Sequence, residues 1–427
     1  MLLIKNGYIL DPKSRREGVY DILIEDNKIK RIDTFITLID LSDEEKENLQ
    51  IIYADNMMVA PGLVDVHVHF RDPGFTYKED IYSGAKAAAK GGFTTVVLMA
   101  NTKPTVDSKD TLEYVISKGK ETDIHVLTCA SITKGLKGKE LTDMDLLKKY
   151  GAVGFTDDGI PMLDEELIVT AMKKAKELKV PLSFHEENPA LITNNGINHG
   201  KASAYYDIEG SPRAAEIDLI YRDLQFAVET DAPINIQHIS SKEGVELVRQ
   251  AKLDSTNIHA EATPHHFSLT EESVIEFGTL AKMNPPLRTE QDRLAIIQGL
   301  KDNTIDIIAT DHAPHSTDEK AKPITEAPSG IIGLETALPL GITNLVKSGY
   351  LSYMELLEKM TINPASMYHL DYGYIAEGGP ADLVIFNDNL QTIDTFCSKS
   401  NNSPFKGQSL NGEIQYTICN GKIIYQK

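Results

Sequence analysis

Two histidines two residues apart, His67 and His69, end an apolar run in Val64-Asp65-Val66-His67-Val68-His69-Phe70-Arg71-Asp72-Pro73-Gly74. In a β-strand, residues i and i+2 share a face, so both rings can aim a nitrogen at one point. Convergent imidazoles are what zinc and related divalent ions bind. A lone pair of this kind also occurs in ordinary satisfied cores, so its meaning depends on its company. Asp157 and Asp158 follow a short apolar run in Gly154-Phe155-Thr156-Asp157-Asp158-Gly159. His185 ends another in Ser183-Phe184-His185-Glu186-Glu187, and His238 a third in Asn235-Ile236-Gln237-His238-Ile239-Ser240. Asp311 ends a further one in Ala309-Thr310-Asp311-His312-Ala313-Pro314-His315. Which of Asp157 and Asp158 points inward is open at this level.

Such ligands meet only if the scaffold gathers strand ends. The first 60 residues read as short strands at 2–4, 20–24, 29–32 and 51–54, with a charged loop or short helix at 43–47. After Pro61-Gly62, apolar runs at 63–67, 94–99, 124–130, 152–155, 181–185, 234–238, 258–262 and 305–310 alternate with helical patterns. The clearest helices are 77–90, 165–178, 214–229 and 242–251. Apolar strands joined by helical crossovers imply a parallel sheet buried on both faces. Eight such units over about 300 residues predict an α/β fold of the (β/α)8 TIM-barrel kind, with an open doubly wound sheet as the alternative. Strands return at 381–386, 415–419 and 422–425. Residues 1–60 and 375–427 are therefore expected to form one small β-sandwich domain, and 61–374 the barrel. Every candidate ligand then lies at the C-terminal end of a barrel strand, where such barrels build active sites.

A net charge of −20 argues against nucleic acid as a partner. An anionic substrate would need positive charge from metal or arginine. Cys129, Cys397 and Cys419 are odd in number and form no CxxC, which argues against a disulfide scaffold or cysteine zinc site. No apolar run is long enough for a membrane span. Met1-Leu2-Leu3-Ile4-Lys5-Asn6-Gly7 reads as a strand and turn rather than a signal peptide. A cytoplasmic location is the expectation.

This layout of HxH on strand 1, acid after strand 4, histidines on strands 5 and 6 and aspartate on strand 8 resembles the amidohydrolase superfamily. The likeness covers essentially the whole chain, including the small β-domain that the family builds from both termini. Within the superfamily the chain is similar to bacterial-type class I dihydroorotases. The motifs are His67-Val68-His69-Phe70-Arg71-Asp72-Pro73-Gly74, Met99-Ala100-Asn101-Thr102-Lys103-Pro104, Thr156-Asp157-Asp158-Gly159, Lys282-Met283-Asn284-Pro285-Pro286-Leu287-Arg288 and Ala309-Thr310-Asp311-His312-Ala313-Pro314-His315. HxHxRDPG is shared with allantoinases. Allantoinases, hydantoinases and dihydropyrimidinases, however, place after strand 4 a lysine that is carbamylated to bridge two metals. Residues 152–160 hold no lysine, and Lys148 and Lys149 belong to the preceding helix. Two positions depart from the bacterial pattern: Ala100, where Met-Pro-Asn is common, and Ser329, where Ala-Pro-Phe-Gly is common. Neither removes a ligand; both touch the expected substrate mouth.

The resemblance implies reversible cyclisation of N-carbamoyl-L-aspartate to L-dihydroorotate in pyrimidine synthesis. It implies two zinc ions per subunit that acidify a shared water and polarise the amide carbonyl. His67, His69 and Asp311 would hold one ion and His185 and His238 the other, with Asp158 as the bridge and Asp157 the adjacent alternative. Asp311 would serve as general base and acid. Arg71, Asn101 and His315 would bind the substrate carboxylate; Asn284 and backbone near Ser329-Gly330 would bind the ring amide edge. His265, His266, His312 and Arg288 are expected to be supporting residues. A loop over 194–211 has the composition of a closing segment. A homodimer, and association with aspartate transcarbamoylase, are the partner expectations. An allantoinase- or hydantoinase-like activity, or a non-catalytic transcarbamoylase partner, is the alternative.

Overall fold

The computed structural model describes residues 1–427, apart from the side chains of residues 40, 44 and 45. The N-terminal part forms β1 (Leu2–Asp11), β2 (Arg16–Glu25), β3 (Lys28–Asp33), β4 (Gln50–Tyr53) and β5 (Met58–Pro61). Residues 43–47 form a short helix. The turn expected at Lys5-Asn6-Gly7 is instead a bulge inside a longer strand. Asn6 takes φ 58° and the register shifts between Ile4 and Gly7. The bulge lets β1 change partners: Leu2–Lys5 pairs with β4, and Tyr8 and Ile9 pair with β5. Gly7 is needed there, since a Cβ would stand 2.5 Å from Val59 Cγ2.

The barrel strands are β6 (Leu63–Val68), β7 (Phe93–Leu98), β8 (His125–Thr128), β9 (Phe155–Thr156), β10 (Leu182–Phe184), β11 (Ile234–Ile236), β12 (Ile258–Ala262) and β13 (Ile307–Ile308). Each pairs in parallel with its neighbour in two groups, β6-β7-β8 and β9 through β13. Parallel bridges Ala130–Phe155 and Val68–His312 close the two groups into a barrel. At the second seam Asp65, fully buried, accepts from Thr310 N at 3.2 Å and from His67 N at 3.0 Å. A carboxylate thus replaces ladder bonds at this seam, and β13 is shorter than the run 305–310 suggests.

The helices outside follow their caps. Glu165–Leu178 starts where the Asp164 side chain accepts from Leu167 N and stops at left-handed Lys179, φ 54°. Ile81–Lys90 begins later than the expected residue 77, because Asp80 and Ser83 form a capping box. Inside the barrel, Val64, Val66, Val97, Met99, Ile307 and Ala309 form a buried cluster. These strands are apolar on both faces because helices cover the outside.

At the C-terminus β14 (Leu383–Thr392), β15 (Ser409–Cys419) and β16 (Lys422–Gln426) extend the N-terminal strands in the order β16-β15-β14-β5-β1-β2-β3. These strands enclose a separate core of Ile4, Ile9, Ile22, Val59, Leu383 and Ile385 among others. One joint to the barrel is His125, whose Nε2 lies 2.9 Å from Asp382 Oδ2 at the start of β8, on the side away from the ligands. Between β14 and β15, residues 393–408 leave the sheet and reach the barrel mouth.

Candidate metal centre and substrate cleft

Asp158 stands between two histidine pairs. Its Oδ1 is 3.5 Å from His67 Nε2 and 3.8 Å from both His185 Nδ1 and His238 Nε2; its Oδ2 is 3.5 Å from His69 Nε2. Asp311 Oδ1 lies 3.0 Å from His69 Nε2 and 3.6 Å from His67 Nε2. His185 Nδ1 and His238 Nε2 are 3.0 Å apart. Donors on one tetrahedral zinc, with bonds of about 2.0–2.1 Å, sit roughly 3.3 Å from one another. His67-His69-Asp158 and Asp158-His185-His238 are both compact enough to hold an ion, and they share Asp158. His67 Nε2 is buried without a hydrogen-bond partner among the described residues, as a nitrogen reserved for a metal would be. The donor set fits two divalent cations.

Asp157 is spent elsewhere. Its carboxylate accepts from Ile132 N at 2.8 Å, Thr133 N at 3.0 Å and the Thr133 hydroxyl, pinning the loop after β8. Successive side chains leave a strand in opposite directions, so only one of the two neighbours can face the centre.

The carboxylates and imidazoles of this pocket hold one another in their charged forms. Burial opposes a charge on His67, yet the Glu261 and Asp158 carboxylates raise its pKa well above the usual imidazole value. Burial likewise opposes ionisation of Asp158, and the imidazoles, His67 foremost, hold it well below the carboxylate range. Asp311 is brought down to about 2: burial works the other way and is outweighed by the His69 hydrogen bond and the His67 charge.

A surrounding layer orients these candidate ligands. His67 Nδ1–H donates to Glu261 Oε1 at 2.5 Å, which frees Nε2 for the centre. His69 Nδ1–H donates to Asn101 Oδ1 at 2.9 Å, and Asn101 Nδ2 donates to Asp158 Oδ2 at 2.9 Å. His185 Nε2 lies 3.3 Å from Glu187 Oε2 and 3.2 Å from Asn284 Nδ2. Carboxylate or amide partners on the outer nitrogen fix the tautomer and ring of a ligating histidine. Glu261 and Glu187 were not singled out from sequence. Their signal was weak: a glutamate inside or just after an apolar run. Asn101, expected at the substrate carboxylate, lines the cleft and has both ends of its amide bonded to His69 and Asp158. Arg71, His238 and Asp311 take left-handed φ of 58°, 33° and 47°. Such backbone is costly for residues with a Cβ and marks places where side-chain aim is over-determined.

Above the centre lies a cleft of about 540 Å³, a size suited to a small molecule. It is lined by His69, Asn101, Asp158, His185, His238, Asn284 and Asp311 on the metal side, and by Arg71, His315, Ser329 and Gly330 above them. His67 lies beneath it, fully buried. Asp72 does not neutralise Arg71; it takes Tyr114 Oη and Lys118 Nζ, each at 2.9 Å. Arg71 Nε donates to Pro314 O at 3.3 Å, and no carboxylate among the described residues lies within ion-pair distance of its guanidinium. His315 Nε2–H donates to Ser329 O at 2.8 Å while Lys78 Nζ donates to Nδ1 at 3.2 Å, so the ring stays neutral. Burial first, then Arg71 and Lys78, push its pKa far down. Gly330 N–H is bonded to Lys282 O at 2.9 Å, so this peptide also serves the loop scaffold. Thr193, Asn194 and Asn195 reach the cleft edge, and Ser329 Oγ donates to Asn195 Oδ1 at 3.4 Å.

The supporting residues have partners of their own. His266 lies between Thr263 Oγ1 at 2.9 Å and Pro285 O at 3.1 Å. His312 Nδ1 accepts from Gly333 N at 3.1 Å. Arg288 donates to Ser240 Oγ and Asn198 Oδ1, each at 2.9 Å, and to Ser211 O at 3.1 Å. His265 is fully buried against Phe405, with ring centroids 6.0 Å apart.

Residues 58–424 match the amidohydrolase family. Over 426 residues, and the full length of both chains, the sequence is 58% identical to a dihydroorotase of Clostridioides difficile (strain 630). It is 53% identical to a dihydroorotase of Clostridium acetobutylicum, again over the full length of both. The fold is similar to the L-hydantoinase (dihydropyrimidinase) of Arthrobacter aurescens, with TM-score 0.88 at 25% identity over 100% of this chain and 96% of that one. A D-hydantoinase from Thermus sp. shares the fold with TM-score 0.84 over 100% of this chain and 95% of the other. With a shared aspartate between two histidine pairs at the mouth of a (β/α)8 barrel, the chain belongs to the amidohydrolase family and, within it, to the dihydroorotases.

Proposed function

We propose that the chain interconverts N-carbamoyl-L-aspartate and L-dihydroorotate in pyrimidine synthesis, with two zinc ions held by His67, His69, Asp158, His185, His238 and Asp311. The observation that carries the reading is Asp158, an unmodified carboxylate shared by both histidine pairs. It occupies the place where hydantoinase-like relatives are expected to have a modified lysine. The nearest candidate, Lys148, instead donates to Leu178 O on the outside of the barrel. A hydantoinase-like activity is the second reading, supported by the shared fold and opposed by this carboxylate.

When bound, the metal ions supply Lewis acidity for the ring carbonyl and lower the pKa of water. The chain's own residues do the rest. Arg71 presents an unneutralised planar fork to the substrate carboxylate, and the neutral His315 ring stands beside it. Asn284 reaches the ring edge from the other side of the cleft. Asp311, ionised and 3.0 Å from His69 Nε2, takes the proton of the attacking water at a carboxylate oxygen. It then delivers that proton to the ring nitrogen as the C–N bond breaks; ring closure reverses the sequence.

Zinc-loaded protein should consume L-dihydroorotate, followed by ultraviolet absorbance, and neither hydantoin nor allantoin. Activity should vanish on chelation and return with zinc. Turnover of hydantoin instead would sink the proposal in favour of the second reading. Arg71→Lys keeps the charge and loses the fork, so KM for dihydroorotate should rise about tenfold or more with kcat little changed; an unchanged KM would remove Arg71 from carboxylate binding. A homodimer, an association with aspartate transcarbamoylase and a cytoplasmic location complete the proposal. The first two rest on the family and the third on the cysteine usage; no helix among the described residues is long and apolar enough to cross a membrane.

A further inference from the structure

The segment 393–408 is a polar arm from the small domain laid across the barrel mouth. Cys397 N donates to Glu335 Oε1 at 2.8 Å, the Ser398 hydroxyl bonds Glu79, and Ser400 Oγ donates to Lys78 O at 2.8 Å. Asn402, within this arm, is buried, 2% exposed. Its Oδ1 accepts from His315 N at 3.1 Å. Its Nδ2 donates to Ala313 O at 2.9 Å and to Gly330 O at 3.0 Å. Its own carbonyl accepts from Ile332 N at 3.1 Å. One side chain thus uses both donor hydrogens and its acceptor on two loops that line the cleft, the one carrying His315 and the one carrying Ser329 and Gly330. No secondary-structure ladder covers these peptide groups, and buried backbone polar groups need partners. The two loops also touch directly, through Ala313 N to Ile331 O at 3.0 Å and His315 Nε2 to Ser329 O at 2.8 Å; the amide from the small domain adds three bonds that tie the outer peptides of both loops together.

We propose that Asn402 is a positioning residue for substrate recognition: it fixes the His315 loop against the Gly330 loop, so that His315 stands in register with Arg71 at the carboxylate end of the cleft. Asn402 lies among neither the lining residues nor the metal ligands, so it acts through others. This rests on the dihydroorotate reading above. It assigns the small domain a part in binding, through an arm that the sheet itself does not need.

The test compares wild type, Asn402→Ala and Ser400→Ala. The last cuts the arm's bond to Lys78 O and leaves the Asn402 bonds in place. Binding of orotate, a carboxylate-bearing ring analogue, is measured by calorimetry, alongside KM, kcat and zinc content. Asn402→Ala should raise both the orotate Kd and KM about tenfold or more, with kcat and zinc content little changed, while Ser400→Ala behaves as wild type. If Asn402→Ala does not accumulate folded, Asn402→Ser is read by the same criteria. Wild-type orotate affinity in a folded Asn402 variant would overturn the proposal. So would an equal rise of KM in Ser400→Ala, which would show only a general need for the arm. A wild-type protein that neither binds orotate nor consumes dihydroorotate would overturn the functional reading, and this inference with it.

Discussion

Asp311→Asn should lower kcat about a thousandfold while orotate affinity stays near wild type. Asparagine keeps the shape and one acceptor oxygen facing His69, so the cleft and its cationic rim persist. It cannot carry a proton between water and the ring nitrogen, and general acid–base catalysis of this kind contributes about a hundredfold to ten-thousandfold. The carboxylate suits the role because it is ionised and sits at the metal side of the cleft beside His69. Zinc content, measured on the same sample, separates this role from ligation: two ions per chain with kcat reduced identify proton transfer, whereas loss of an ion with lost activity traces the effect to ligation. A kcat within about tenfold of wild type would remove it from the chemistry.

The second large effect concerns the neighbouring carboxylates. Asp158→Ala should leave fewer than one tightly bound zinc per chain in equilibrium dialysis and reduce turnover below detection, because Asp158 faces both histidine pairs. Asp157→Asn should keep both ions and its activity. Its cost falls on stability, about 1–3 kcal/mol in urea unfolding of the metal-free protein, since the amide keeps one oxygen for the Ile132 and Thr133 N–H groups and loses the one that accepts from the Thr133 hydroxyl. The opposite pattern, with metal lost from Asp157→Asn and kept by Asp158→Ala, would reverse the assignment.

Sequence carried the strand ends well and the partners of the ligands poorly. Strand periodicity and eight alternations place His67, His69, His185, His238 and Asp311 at one mouth, because each is local to an apolar run. The choice between Asp157 and Asp158 turned on which way a two-residue strand leaves its ladder, and that is decided by Ile132 and Thr133, distant in sequence. Glu261 looks like one more acid near one more strand until the barrel closes and brings it to His67, 194 residues away. Asn402 belongs to no periodic pattern. The β1 bulge was hidden for a related reason: Lys5-Asn6-Gly7 has the composition of a turn, and only pairing to both β4 and β5 makes it a bend within one strand.

The left-handed backbone at Arg71, His238 and Asp311 also bears on how far this protein can be stabilised. Glycine would relieve each of these conformations, and each such change would remove a side chain from the site. Stability and activity therefore oppose one another at the mouth, whereas the helix caps and the small-domain core are free of that conflict. A thermostable version should be sought through the outer helices and the terminal strands, with the loops after β6, β11 and β13 left as they are.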